Sequence, residues 1–97
     1  MILSFRDQTT QDIYDGIRSK NARKIPTKIW EIAFRKLDMI NSAGRLKDLL
    51  VPPGNRLKAL RGHWKEFHSI RINDQYRIIF KWINSNAENV QILDYHD

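Results

Sequence analysis

Ninety-seven residues carrying 17 Lys and Arg against 11 Asp and Glu, a formal charge of +6, leave room for one domain with one core and favour a polyanionic partner over a neutral one. No apolar run approaches the ~20 residues of a membrane span, and Met1 to Phe5 is too short for a signal peptide, so a soluble cytoplasmic protein is expected. The lack of cysteine excludes disulfides, thiolate metal sites and cysteine nucleophiles.

In chain order, Met1 to Arg6 is expected to be an edge strand, since so small a chain would not leave Ile2, Leu3 and Phe5 unpaired. Thr9 or Thr10 is the expected N-cap of a first helix running to about Asn21, with Gly16 as its weak point. A stronger helix is expected from Pro26 to Ser42. There Ile29, Ile32, Ala33, Lys36 or Leu37, and Ile40 share one face, with Trp30 and Phe34 beside it. Gly44 suits its C-cap, Arg45 to Leu50 adds a short helical turn, and Val51 to Asn55 reads as a loop. Four strands then follow. Arg56 to Leu60 alternates before Gly62; the later part of His63 to His68 leads into the next strand; and a turn over Asn84 to Asn89 precedes a last strand from Val90 to Tyr95. The expected architecture is α+β, with two N-terminal helices on one face of a mostly antiparallel sheet of four to five strands.

The sheet is organised by Ser69 to Trp82. Ile70 and Ile72, then Tyr76, Ile78, Phe80 and Trp82, alternate with polar positions around an Asn73-Asp74-Gln75 turn. Pairing Ile72 with Tyr76 sets Arg71 opposite Arg77, Ile70 opposite Ile78 and Ser69 opposite Ile79. Both arginines then leave the face away from the helices. Two cations directly opposite repel, so the pair implies an anion between them, or else one arginine bonded to a carboxylate such as Asp94 and the other lying against solvent. Between Arg56 and Lys81 stand seven basic residues, Arg56, Lys58, Arg61, Lys65, Arg71, Arg77 and Lys81, against Glu66 and Asp74. That concentration favours nucleic acid.

Other chemistries fit poorly. His63, His68 and His96 form no local ligand pair, the four glycines make neither a phosphate loop nor a dinucleotide fingerprint, and Ser69, His68 and Asp94 lack the context of a hydrolase triad. Asp94, Tyr95 and His96, by contrast, gather a carboxylate, a phenol and an imidazole beside the arginine hairpin. With Lys58 and Arg61 they supply the parts for RNA cleavage without metal or cofactor. A 2′-hydroxyl loses a proton, cations steady the phosphorane, and the leaving 5′-oxygen gains a proton.

The runs Leu57 to Gly62 (LKALRG), Ser69 to Trp82 (SIRINDQYRIIFKW) and Val90 to His96 (VQILDYH) resemble the HigB branch of the RelE/ParE toxin superfamily, the plasmid maintenance killer proteins. The resemblance implies a small RelE-like toxin, one domain over residues 1–97, that cuts messenger RNA in the ribosomal A site. It implies neutralisation by a helix-turn-helix, HigA-like antitoxin, with operator DNA reached only through that antitoxin. The family's hairpin arginines match Arg71 and Arg77, its terminal acid, tyrosine and histidine match Asp94, Tyr95 and His96, and its basic residue before the glycine matches Arg61. Lys58 stands where some members carry histidine, which leaves His96 as the acid or base. Lys58, Arg61, Lys65 and Lys81 are the expected RNA contacts. The segment from His63 to His68 is bulkier than the polar run common in relatives. On this reading Arg77→Ala or His96→Ala relieves growth arrest with the fold intact. The rivals are a ParE-like gyrase poison, which does not require the terminal triplet, and a non-enzymatic module binding RNA or an acidic protein.

Overall fold

A computed structural model describes residues 1–95, so His96 lies outside the described residues. Asp7, in extended backbone, accepts a hydrogen bond from the Thr10 amide at 2.7 Å and caps helix α1 (Gln8–Asp15). The cap is thus Asp7 and not a threonine. Thr10 instead is fully buried, its Oγ1 accepting from the Ile92 amide at 2.9 Å and tying the helix to the sheet. The helix stops at Gly16 well short of Asn21, because Gly16 takes a left-handed φ of 75° from which its amide turns back onto the Asp12 and Ile13 carbonyls.

Pro26 precedes a 3-10 turn, Thr27–Ile29, which runs into α2 (Trp30–Ser42). Ala33, Leu37 and Ile40 on its inner face are fully buried. Tyr14 Oη donates to Asp38 Oδ1 at 2.9 Å and joins the two helices, and burial followed by that carboxylate raises the phenol pKa to about 12. Ala43, and not Gly44, closes α2 by donating to the Met39 carbonyl, and the expected short turn follows at Leu46–Leu50.

The sheet is antiparallel in the order β1 (Lys58–Ala59), β2 (Phe67–Arg71), β3 (Tyr76–Ile83), β4 (Asn86–Asp94). The expected first strand is present as two parallel bridges, Ile2 with Ala87 and Phe5 with Val90, along the free edge of β4. Arg71 pairs with Arg77, Ile70 with Ile78 and Ser69 with Ile79, in the register expected from alternation. The hairpin turn is held by Asn73, whose Oδ1 accepts from the Gln75 and Tyr76 amides at 2.9 and 2.7 Å.

Two differences lie in the strands. β1 is only two residues long, because Arg56 sits in left-handed backbone at φ 47° and breaks the extended run. β4 begins at Asn86 and not Val90, because Asn84 and Ser85, at φ 50° and 65°, make a tight two-residue turn. Asn89, at φ 53°, marks a bulge where the pairing slips from Ile79 with Gln91 to Lys81 with Glu88.

Against the helices the sheet presents Ile70, Ile72, Ile78, Phe80, Val90 and Ile92, forming one core with Ala33, Leu37 and Ile40. Its other face is not purely cationic. Leu60, Phe67 and Ile79 form a second small cluster there, flanked by Trp64, Leu93 and Tyr95. Lys36 projects from α2 among apolar neighbours and donates to Asn55 Oδ1; Asn55, fully buried, donates to the Leu49 carbonyl at 3.1 Å. Burial first, then the charges of Arg35 and Arg71, lower the Lys36 pKa. Among the described residues, no helix is long and apolar enough to cross a membrane.

Candidate nucleic-acid interface

Pairing lays the outer face of the sheet out in rows. Arg71, Arg77 and Leu93 form the first row, Lys58, Ser69, Ile79 and Gln91 the second, and Phe67, Lys81 and Glu88 the third. Alternation along each strand puts these residues on one side and the helices on the other.

The paired arginines have different fates. Arg77 is only 9% exposed: its Nε donates to Ser69 Oγ at 2.8 Å and its Nη2 to the Arg56 carbonyl at 2.7 Å. A rigid fork with fixed acceptors is thereby aimed across the face. Arg71 is half-buried and ion-paired with Asp74, whose side chain is 98% exposed. The carboxylate paired with Arg71 is thus the solvent-facing Asp74. An exposed partner of this kind holds Arg71 only weakly.

Lys58 lies in β1 and Tyr95 directly follows β4, at opposite ends of the sheet order, yet the Lys58 ammonium sits 5.4 Å from the Tyr95 ring centre. The two side chains close over the face, and with Ala59, Leu60 and Arg61 they line a cavity of about 380 Å³. A cation, a guanidinium and a phenol in one groove, on the same face as the arginine row, can receive a phosphodiester with an adjacent ring. Lys81 lies over the Phe67 ring at 5.2 Å, and Arg61 and Lys65 are exposed.

Of the residues expected from sequence, Lys58, Arg61 and Tyr95 meet in this groove, and Arg71 and Arg77 stand side by side. Asp94 does not join them on the same face. It pairs with Tyr76 on the helix-facing side, where its Oδ2 accepts from Gln75 Nε2 at 2.9 Å. Tyr95, which follows β4, packs instead against the Leu60, Phe67 and Ile79 cluster of the outer face. Sequence reasoning also passed over Ser69 as the support of Arg77, and Lys36. Lys36 carried a signal, a lysine inside an apolar helical stripe; Ser69 carried one only once its pairing was known.

His68 faces the helices and stacks on Phe80, with ring centres 6.3 Å apart. Its Nδ1 is buried with no hydrogen-bond partner among the described residues, and burial lowers its pKa. Between that lowered folded value and the ordinary 6.5, the unfolded chain binds more protons, so stability rises with pH through this window and is lost as pH falls through the folded pKa. Urea midpoints measured near pH 7 and near pH 5 are expected to fall more for the parent than for His68→Leu. Equal falls would show that His68 does not carry the effect.

A family model for the RelE-like toxin of the HigB type II toxin-antitoxin system matches residues 3–96. Toxin HigB-1 of Vibrio cholerae serotype O1 is 42% identical over 96 residues, spanning 99% of this chain and 98% of that one. A Haemophilus influenzae protein is 41% identical over 73 residues, 75% of this chain and 71% of its own. The fold is also that of the toxin-antitoxin structure described as the YoeB-YefM complex from Staphylococcus aureus: a chain there superposes with a TM-score of 0.60 at 13% identity, covering 100% of this chain and 99% of that one. Whole-length similarity in sequence, together with this sheet and its two helices, identifies the chain as a member of the HigB-like family of RelE-like toxins of type II toxin-antitoxin systems.

Proposed function

We propose that this toxin is an endoribonuclease that cuts messenger RNA in the ribosomal A site and so stops translation. The observation that carries the reading is the groove lined by Lys58, Arg61 and Tyr95 on the face of the sheet that also carries the Arg71 and Arg77 row. RNA brings its own nucleophile. The 2′-oxygen bonds to the adjacent phosphorus as its proton passes to a base. The bond from phosphorus to the 5′-oxygen then breaks as that oxygen gains a proton, leaving a 2′,3′-cyclic phosphate. Arg71 and Arg77 neutralise the charge that grows on the phosphorane, Arg77 from a fixed position and Arg71 by releasing Asp74. Lys58 and Arg61 seat the phosphates, Tyr95 stacks on or orients the nucleotide, and Lys65 and Lys81 extend the track. His96 is proposed as acid or base and Asp94 as its charge-balancing neighbour at the terminus. No cofactor enters this scheme.

The chain acts as one domain, in the cytoplasm where its substrate is. Its partner is a helix-turn-helix, HigA-like antitoxin, through which alone operator DNA is contacted. Support for such a partner comes from the family and from the antitoxin-bound relative of the same fold. The test supplies antitoxin-free toxin to ribosomes stalled with a defined codon in the A site and maps new RNA 5′ ends, with naked RNA and His96→Ala as controls. Discrete cuts within that codon, missing from both controls, are expected. A folded toxin that cuts nothing while inducing DNA damage in cells would move the assignment to gyrase.

A further inference from the structure

We propose that Trp64 is a stacking shelf for one unpaired base of the RNA, setting which nucleotide is preferred beside the cleaved bond. The inference rests on the nuclease reading and adds a specificity subsite to it. Between β1 and β2 the chain leaves the sheet: Gly62, at φ 66°, opens a 3-10 turn over Gly62–Trp64, and Glu66, at φ 79°, returns the chain to β2. The Leu60 amide bonds to the Phe67 carbonyl at 2.9 Å, so residues 61–66 form a closed excursion on the outer face.

Trp64 comes back over that face. Its ring meets Phe67 at 5.2 Å and 85°. Phe67 is buried, with Lys81 against its ring, so it can support but not receive a base. Of these two rings, Trp64 stays partly exposed and can receive one.

Its surroundings select the occupant. The Trp64 amide bonds to the Arg61 carbonyl at 3.2 Å, and Arg61 lines the Lys58 and Tyr95 groove. The Trp64 ring packs against the same Leu60, Phe67 and Ile79 cluster as Tyr95, and Leu60 and Tyr95 line that groove with Arg61, so a base next to a phosphate held at Arg61 can reach the indole, with exposed Lys65 following it in the chain. An aromatic ring among cations, continuous with a phosphate groove, suits single-stranded RNA, whose bases stack on such rings while lysine and arginine follow the backbone.

The test compares the parent, Trp64→Phe and Trp64→Leu on ribosomes carrying each of a set of A-site codons, with thermal melts alongside. Trp64→Phe is expected to keep the parental cut profile. Trp64→Leu is expected to cut roughly 5- to 150-fold more slowly, the loss of one stacked base, and with a flattened preference at one nucleotide position. A Trp64→Leu variant with parental rate and profile overturns the shelf. If the parent cuts nothing, or Trp64→Leu does not fold, the decision passes to Trp64 fluorescence. In the Trp30→Phe, Trp82→Phe chain, quenching by a short 2′-O-methyl RNA supports the shelf, and no quenching overturns it. A parent that cuts nothing removes the nuclease reading; an unquenched Trp64 removes only the shelf.

Discussion

Arg71→Ala is expected to lower cleavage of ribosome-bound RNA by about 10²- to 10³-fold while leaving the melting temperature nearly unchanged. The first half follows from the place of Arg71, beside Arg77 on the outer face at the hairpin, where the proposed reaction needs positive charge on its phosphorane. The second follows from its partner. Asp74 is an exposed carboxylate three residues away, and such surface pairs contribute only about 0–1 kcal/mol. Exchange of Asp74 for a phosphate oxygen is therefore expected to cost little. Single-turnover cleavage on programmed ribosomes, with calorimetry of the same preparation, separates the two quantities. A folded Arg71→Ala that cuts at the parental rate would remove Arg71 from the site.

Arg77→Ala is expected to lose cleavage and also to destabilise the fold by about 2–4 kcal/mol, a melting-temperature drop of roughly 10–25 °C. The Ser69 hydroxyl and the Arg56 carbonyl lose a charged donor in a place where little water can replace it. Burial of Arg77 thus argues against the expectation from sequence that its removal spares the fold. Arg77→Lys is expected to recover part of the stability, since one ammonium cannot reach both acceptors with the geometry of the planar fork. Urea denaturation of the three proteins measures this. Parental stability in Arg77→Ala would show that Arg77 is held for substrate and not for the sheet.

These two arginines show where the sequence was sufficient. Strand alternation determined that Arg71 and Arg77 face each other, because a one-residue slip would have turned Ile70, Ile72, Ile78 and Phe80 away from the helices. The same logic made β2, β3 and the apolar stripe of α2 legible, and their order with the terminal motif carried the family resemblance. Helix and strand ends were read less well. They depend on single backbone angles, at Gly16, Arg56, Asn84 and Ser85, that leave no periodic trace.

What only the tertiary structure decided is what each side chain meets. Periodicity assigns a face but not a partner. It could not tell that Arg77 sinks onto Ser69 and Arg56 while Arg71 turns to Asp74, because those partners depend on depth and on how the chain between Pro52 and Arg56 folds back. Nor could it bring Lys58 across to Tyr95, or send Asp94 to Gln75 on the other face. Nearest-neighbour pattern is a property of one strand at a time, whereas a site is assembled by contacts between strands far apart in the chain, settled by packing of the whole sheet.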